Sequence, residues 1–180
     1  MPAHLIVDFE AYMRPLITYL QNNQQLILPV VFLIAFGECV AFLSFLVPAT
    51  VFFSLFAAFA GAAGLNLLPI AVFISLGAGT GFWVSYWAGL KLGPTAGHRW
   101  PFSKNPQMLE RGHAFFEKWG MAGVFFGHFI GPVRAVIAIV AGICQMPFLP
   151  FQLANWAASF AWGFGLTYAG GMMGQRAGLM

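Results

Sequence analysis

Two residues of opposite charge stand alone in apolar sequence. Charged side chains are absent from 15–37 and 39–90, which flank Glu38, and from 119–133 and 135–175, which flank Arg134. A charge held at the centre of a bilayer costs about 3 kcal/mol on insertion scales, so it persists against a partner, a wet cavity or a substrate. Arg134 stays charged, and its planar fork donates two parallel hydrogen bonds, which suits a phosphate or a carboxylate. Ionised Glu38 cannot ligate an anion, so its chemistry is that of a counter-ion or a proton acceptor. The alternative for both is a purely structural ion pair.

Other polar residues lie near these two along the chain. His128 precedes Arg134 by six residues, across the Gly131-Pro132 step, and reads either as a packed histidine or as a ligand and proton carrier. Asn155, in "QLANWAASFAWG", is an amide inside an apolar span that can bond another helix or face a substrate. Cys39 and Cys144 lack metal-like spacing and read as packed thiols, with neither a disulfide framework nor a metal site expected. There is no HExxH, CxxC, P-loop or GxSxG stretch, nor the basic and histidine clusters of a lipid phosphatase. No enzyme and no cofactor is expected.

The elements that must position these residues are membrane helices. With 60% hydrophobic and 7% charged residues over 180 positions, and a mean hydropathy of +0.80, an ordinary soluble globule is excluded. Seven of the thirteen charges fall within 91–118, where basic residues exceed acidic ones by three. By the positive-inside tendency this linker is cytoplasmic, and it reads as a topology signal facing anionic headgroups rather than as a nucleic-acid surface. Within it, Asn105 and Pro106 can open an amphipathic helix with Phe115, Phe116 and Trp119 opposite Glu110, Arg111 and Lys118. That helix lies on the membrane surface or bridges two halves in water. A second amphipathic helix is expected over 1–23, and its acidic residues Asp8 and Glu10 argue against a signal peptide.

Sliding the chain 81 residues against itself aligns Ala60-Gly61 with Ala141-Gly142, Pro69 with Pro150, and Ala88-Gly89 with Ala169-Gly170. A three-residue change of register upstream aligns Pro48 with Pro132. Each half reads as an apolar stretch, a Pro break, a second apolar stretch ending in Ala-Gly, a Pro, and a long apolar span. Residues 120–131 and 133–146 are about 18 and 21 Å as helix, too short to cross about 30 Å of hydrocarbon singly. They form either a re-entrant hairpin with Gly131-Pro132 at its tip or one kinked span. Irregular backbone at that depth must face protein or a wet cavity, and paired breaks in two halves point to a transporter site at their interface. The long spans near 67–92 and 148–173 are expected to be transmembrane helices. Inversion of the halves, rather than parallel duplication, is expected but not fixed by the sequence.

The stretches "GECVAFLSFLVPAT", "SYWAGLKLG" and "GHFIGPVRAVIAIVAGICQMPF", the last followed by Asn155 and Trp162, resemble the DedA family of VTT-domain, or SNARE-associated, membrane proteins from about Gly37 to Gly174. The resemblance implies two re-entrant hairpins facing each other in an inner-membrane protein. It also implies translocation of polyprenyl phosphates or phospholipids, often tied to the proton gradient. Glu38 matches the family's first acidic residue and Arg134 its second arginine. His128 stands at the first arginine, Thr50 at the second acidic residue after Pro48, and Phe82 where many members carry Asp.

The expectation is therefore an all-α integral membrane protein of the bacterial inner membrane, a single domain over 1–180. It divides into an N-terminal helix 1–23, a first half 24–93, a cytoplasmic linker 94–119, a second half 120–174 and a tail 175–180. Its expected function is lipid flipping or scrambling, with a small-anion transporter or a non-transporting scaffold as alternatives. Arg134, His128, Glu38, Thr50 and Asn155 are the expected substrate residues, Glu38 the proton-coupling residue, and Pro48, Gly131 and Pro132 the hairpin breaks. Anionic lipids are the expected partners, without nucleic acid, and a homo-oligomer is compatible with the sequence.

Overall fold

The computed structural model describes residues 18–19, 22–40, 49–96 and 107–176. Among the described residues it is all-helical: α1 Gln24–Cys39, α2 Ala49–Ala62, α3 Leu67–Ala96, α4 Gln107–Gly127, α5 Gly131–Ile143 and α6 Phe148–Arg176. The expected helix over 1–23 lies almost wholly outside the described residues, as do Asn105 and Pro106 and the proline break at Pro48.

The 81-residue register of the sequence reappears in the backbone. α3 and α6 begin 81 residues apart, at Leu67 and Phe148. The helices before them end in the same cap: Leu65 N–H donates to Ala60 O at 2.9 Å, and Met146 N–H to Ala141 O at 3.0 Å. Both caps pass through a left-handed residue, Gly64 with φ 66° and Gln145 with φ 56°, the geometry that lets a helix satisfy its last carbonyls and turn away. Glycine takes that conformation without steric cost, whereas Gln145 is held in it by its hydrogen bonds.

α3 and α6 run antiparallel along most of their lengths. Leu67 lies against Gly171, Ser75 against Gly163, and Gly79 against Trp156, and the Tyr86 and Phe151 rings stack at 4.1 Å. Each long helix also holds the short helix of the other half. Gly142 of α5 seats on Tyr86 and Gly89 of α3, while Gly61 of α2 seats on Gly171 of α6. A β-carbon at Gly61, Gly89 or Gly142 would enter the facing backbone, so close helix approach depends on the small residues.

Several polar residues are buried in the interior while large apolar ones face outward. Ser75, His128, Asn155, Ser159 and Thr167 are buried, whereas Leu33, Leu55, Leu149 and Met173 are exposed. Water would penalise that arrangement, and lipid favours it, because buried polar groups find partners inside while apolar side chains meet acyl tails. Leu67–Gly93 is the one helical stretch among the described residues that is long and apolar enough by itself to cross a membrane. α6 is nearly as long as α3. It differs from the expectation for 148–173 because Gln152, Asn155, Ser159 and Thr167, on its buried face, lower its hydropathy.

α4 is bent at Gly120, whose φ of 44° and ψ of −122° are non-helical. Its first part carries Glu110, Arg111, Glu117 and Lys118 of the linker, with Phe115 and Trp119 exposed and Phe116 buried. Its second part and α5 then fold back on each other, with Gly127 against Ile137, and its first part also reaches α5, with Gly112 against Val140 and Cys144. In a single straight helix, residues ten apart would be about 15 Å from one another, so the chain reverses. The reversal falls at His128–Ile130, three residues held by Phe125, Phe126 and Gly127 carbonyls. Gly131 and Pro132 open α5 rather than form the tip, because proline's fixed φ and missing N–H suit a first helical turn.

Candidate functional site

Glu38 is the next-to-last residue of α1, and Arg134 lies in the first turn of α5. α1 is fixed to α3 where Gly77 and Gly81 receive the Phe32 and Phe36 carbonyls, and Ser85 Oγ donates to Cys39 O at 3.0 Å. α5 is fixed to the same stretch of α3 through Gly89 and Gly142, and Tyr86 OH donates to Met146 O at 2.6 Å. Residues 81–89 of α3 thus bring the two helix ends together.

Between them, Arg134 Nη1 stands 3.6 Å from Glu38 Oε1, with the two side chains only 7% and 8% exposed. Arg134 Nη2 donates to Cys39 Sγ at 3.3 Å. The guanidinium lies 3.7 Å from the centre of the Trp162 ring and 5.7 Å from that of Phe82. Desolvated cation–π contacts of this kind reach about 2 kcal/mol. The aromatic faces fix the plane of the fork and leave Arg134 Nε buried with no protein partner.

Helix polarity sharpens the electrostatics. The C-terminal end of a helix carries partial negative charge and the N-terminal end partial positive charge. Glu38 sits at the first kind of end and Arg134 at the second, so each charge occupies the helix end that disfavours it. Their mutual attraction offsets both penalties, and an anion at Arg134 or a proton on Glu38 relieves one of them.

His128 is 2% exposed, and its Nδ1 lies 2.8 Å from Val124 O. A carbonyl can only accept, so Nδ1 carries the proton and Nε2 is the acceptor, buried without a protein partner. Its ring packs on Phe82 at 4.1 Å, so Phe82 touches both His128 and the guanidinium. Asn155 Nδ2 donates to Gly79 O at 3.0 Å, bridging α6 to α3, and to Gln152 Oε1 at 3.3 Å. Ser159 Oγ reaches Asn155 Oδ1 at 3.5 Å. The side chain of Thr50 lies outside the described residues.

Glu38, Arg134 and His128 thus share one buried region, and Asn155, which bridges α6 to α3, also lies beside His128. Cys39, Phe82 and Trp162 are members that residue type alone did not mark. By sequence Cys39 is a packed thiol, although it adjoins Glu38, and the two aromatics enter only as points of family comparison. No group of three metal-ligating side chains occurs among the described residues.

Residues 47–172 match the VTT domain. The chain is 29% identical over 133 residues to the inner membrane protein YabI of Escherichia coli, covering 73% of this chain and 52% of that protein. It is 32% identical over 103 residues to the inner membrane protein YqjA of the same organism, covering 57% and 47%. An uncharacterized membrane protein of Buchnera aphidicola is 27% identical over 138 residues, covering 74% and 52%. The chain spans about half the length of these relatives. No solved structure matches it.

Proposed function

Because the chain belongs to the VTT-domain, or DedA, family and is an integral membrane protein of the inner membrane, we propose that it moves a phosphate-bearing lipid across that membrane. Polyprenyl phosphates and phospholipids share the necessary headgroup. The observation that carries this reading is the Glu38–Arg134 pair, buried at two helix ends that each disfavour the charge they hold.

A pair built for stability alone would gain from the opposite placement. A pair built to open is served by this one. A lipid phosphate takes the place of Glu38 on the Arg134 fork and is further stabilised by the α5 N-terminus. Glu38 then takes up a proton, becoming neutral beside the α1 C-terminal carbonyls. The site's net charge is unchanged by the exchange, which ties one proton to one anionic headgroup. Trp162 and Phe82 hold the guanidinium during the exchange, and His128 Nε2 can accept a hydrogen bond from a headgroup hydroxyl.

The same reading makes the halves inverted and their hairpins re-entrant, with 94–119 on the cytoplasmic side. Its support is the antiparallel course of α3 and α6, the reversal after α4, and the positive excess of the linker.

The test is a reconstituted assay following a fluorescent phosphate-bearing lipid between leaflets, with proton movement recorded in parallel. Wild type should move lipid and protons together. Arg134→Ala should abolish lipid movement, and Glu38→Gln should remove its dependence on the proton gradient. Uptake of soluble phosphate with no lipid movement would replace this proposal by the small-anion alternative, and wild-type rates in both variants would leave the pair a structural tie.

A further inference from the structure

The face of α3 turned away from Glu38 and Arg134 carries a feature that the transport site does not use. Phe82, Ser85 and Tyr86 are buried in the interior, while Trp83, Val84, Trp87 and Lys91 point outward. Together with Ala88 these outward residues line an open groove of about 520 Å³. Its size lies within the range of about 300–1,000 Å³ for small-molecule sites. Lys91 closes one end, its Nζ held 4.2 Å above the Trp87 ring.

We propose that this groove binds an anionic phospholipid of the surrounding bilayer, its acyl chain along Trp83, Val84 and Trp87 and its phosphate on Lys91. Charge complementarity selects the occupant. The groove is apolar along its length and carries a single cation at one end, which is the distribution of an amphiphile with one anionic head in mirror image.

Depth agrees with charge. Lys91 is the first charged residue after the run 39–90, so it stands where the hydrocarbon ends, at headgroup level. Trp87 and Trp83 follow at about 6 and 12 Å into the membrane along the helix axis, so the Trp87 indole lies near the interface that such rings prefer and Trp83 lies deeper, among the acyl chains. The Phe148 ring, 6.3 Å from Trp83, adds apolar surface from α6. The contact with Trp87 holds the ammonium over the groove rather than letting it extend into water. Among the described residues no carboxylate lines the groove to compete for it.

The test uses the full chain in neutral detergent, titrated in native mass spectrometry with phosphatidylglycerol and with phosphatidylcholine of identical acyl chains. With the transport site removed by Arg134→Ala, the protein should still prefer the anionic lipid by about five-fold, the effect of one basic residue at an anionic headgroup. In that background Lys91→Ala should bring the two lipids to parity, and Lys91→Arg should keep the preference. A phosphatidylglycerol with a photoreactive acyl chain should label residues 83–88 in wild type and also in Arg134→Ala, which separates this groove from the transport site. Equal binding of the two lipids by Arg134→Ala, or a preference that survives Lys91→Ala in that background, would overturn the proposal. So would a crosslink from Trp87 to a second copy of the chain in place of lipid.

Discussion

Arg134 and Trp162 are joined face to cation, with the guanidinium carbon 3.7 Å from the ring centre. The arginine comes from the first turn of α5 and the tryptophan from the middle of α6. The charge that Glu38 neutralises is therefore oriented by an aromatic surface on another helix, and the fork is aligned before any anion arrives.

That alignment has a measurable strength. Trp162→Leu should remove about 1–2 kcal/mol of stability through the lost cation–π contact and packing. Trp162→Phe should remove less, because a smaller face remains. Thermal unfolding in detergent reads both values. Anionic-lipid binding should weaken in the order wild type, Phe, Leu, and equal binding in all three would remove Trp162 from the site.

Neutralising one member of the ion pair should cost more than neutralising both. Glu38→Gln leaves a buried guanidinium without its counter-charge, and breaking a buried pair in this way costs about 3–5 kcal/mol. Combining Glu38→Gln with Arg134→Met should recover most of that loss, since neither charge remains to be desolvated. Unfolding of the two singles and the double provides the cycle. Additive losses would mean that the 3.6 Å contact contributes no coupling.

The glycine contacts between halves offer a test of the packing. Gly142→Ala would push a methyl into the Tyr86 carbonyl and the Gly89 backbone. Backbone cannot move aside as a flexible side chain would, so the loss should be at least the usual overpacking cost of about 1–3 kcal/mol. Gly165→Ala, where a β-carbon meets nothing within 4 Å, should be neutral or slightly stabilising. Similar melting temperatures for the two variants would contradict the close approach of α5 to α3.

Much of this architecture is legible in the sequence because its signals are local. Charge-free runs mark membrane segments, and the Ala-Gly and Pro matches at a spacing of 81 foreshadow helices that begin 81 residues apart. Glu38 and Arg134 stand out because a charge in apolar sequence demands an explanation. What sequence cannot display is partnership at a distance. Nothing in "GTGFWVSYW" says that Phe82 faces Arg134 while its neighbour Trp83 faces outward; α3's rotation is set by its contacts with α1, α5 and α6. From sequence, Gly131-Pro132 is either a hairpin tip or the kink of one span, because proline breaks helices; the reversal falls just before it, at His128–Ile130, because proline also starts helices. The polar residues of α6 dilute the hydropathy by which spans are recognised, although in the fold they face inward.

The measurement that bears most directly on the transport role is lipid translocation by the charge-swapped variant Glu38→Arg/Arg134→Glu, alongside its thermal stability. Exchanging the charges keeps the ion pair and moves each charge to the helix end that favours it. The swapped protein should therefore unfold at or above the wild-type temperature yet fail to move a phosphate-bearing lipid, since α5 would present a carboxylate where a guanidinium must bind the headgroup. A stable swapped protein that translocates lipid at the wild-type rate would contradict anion recognition by Arg134 and leave the pair a structural tie.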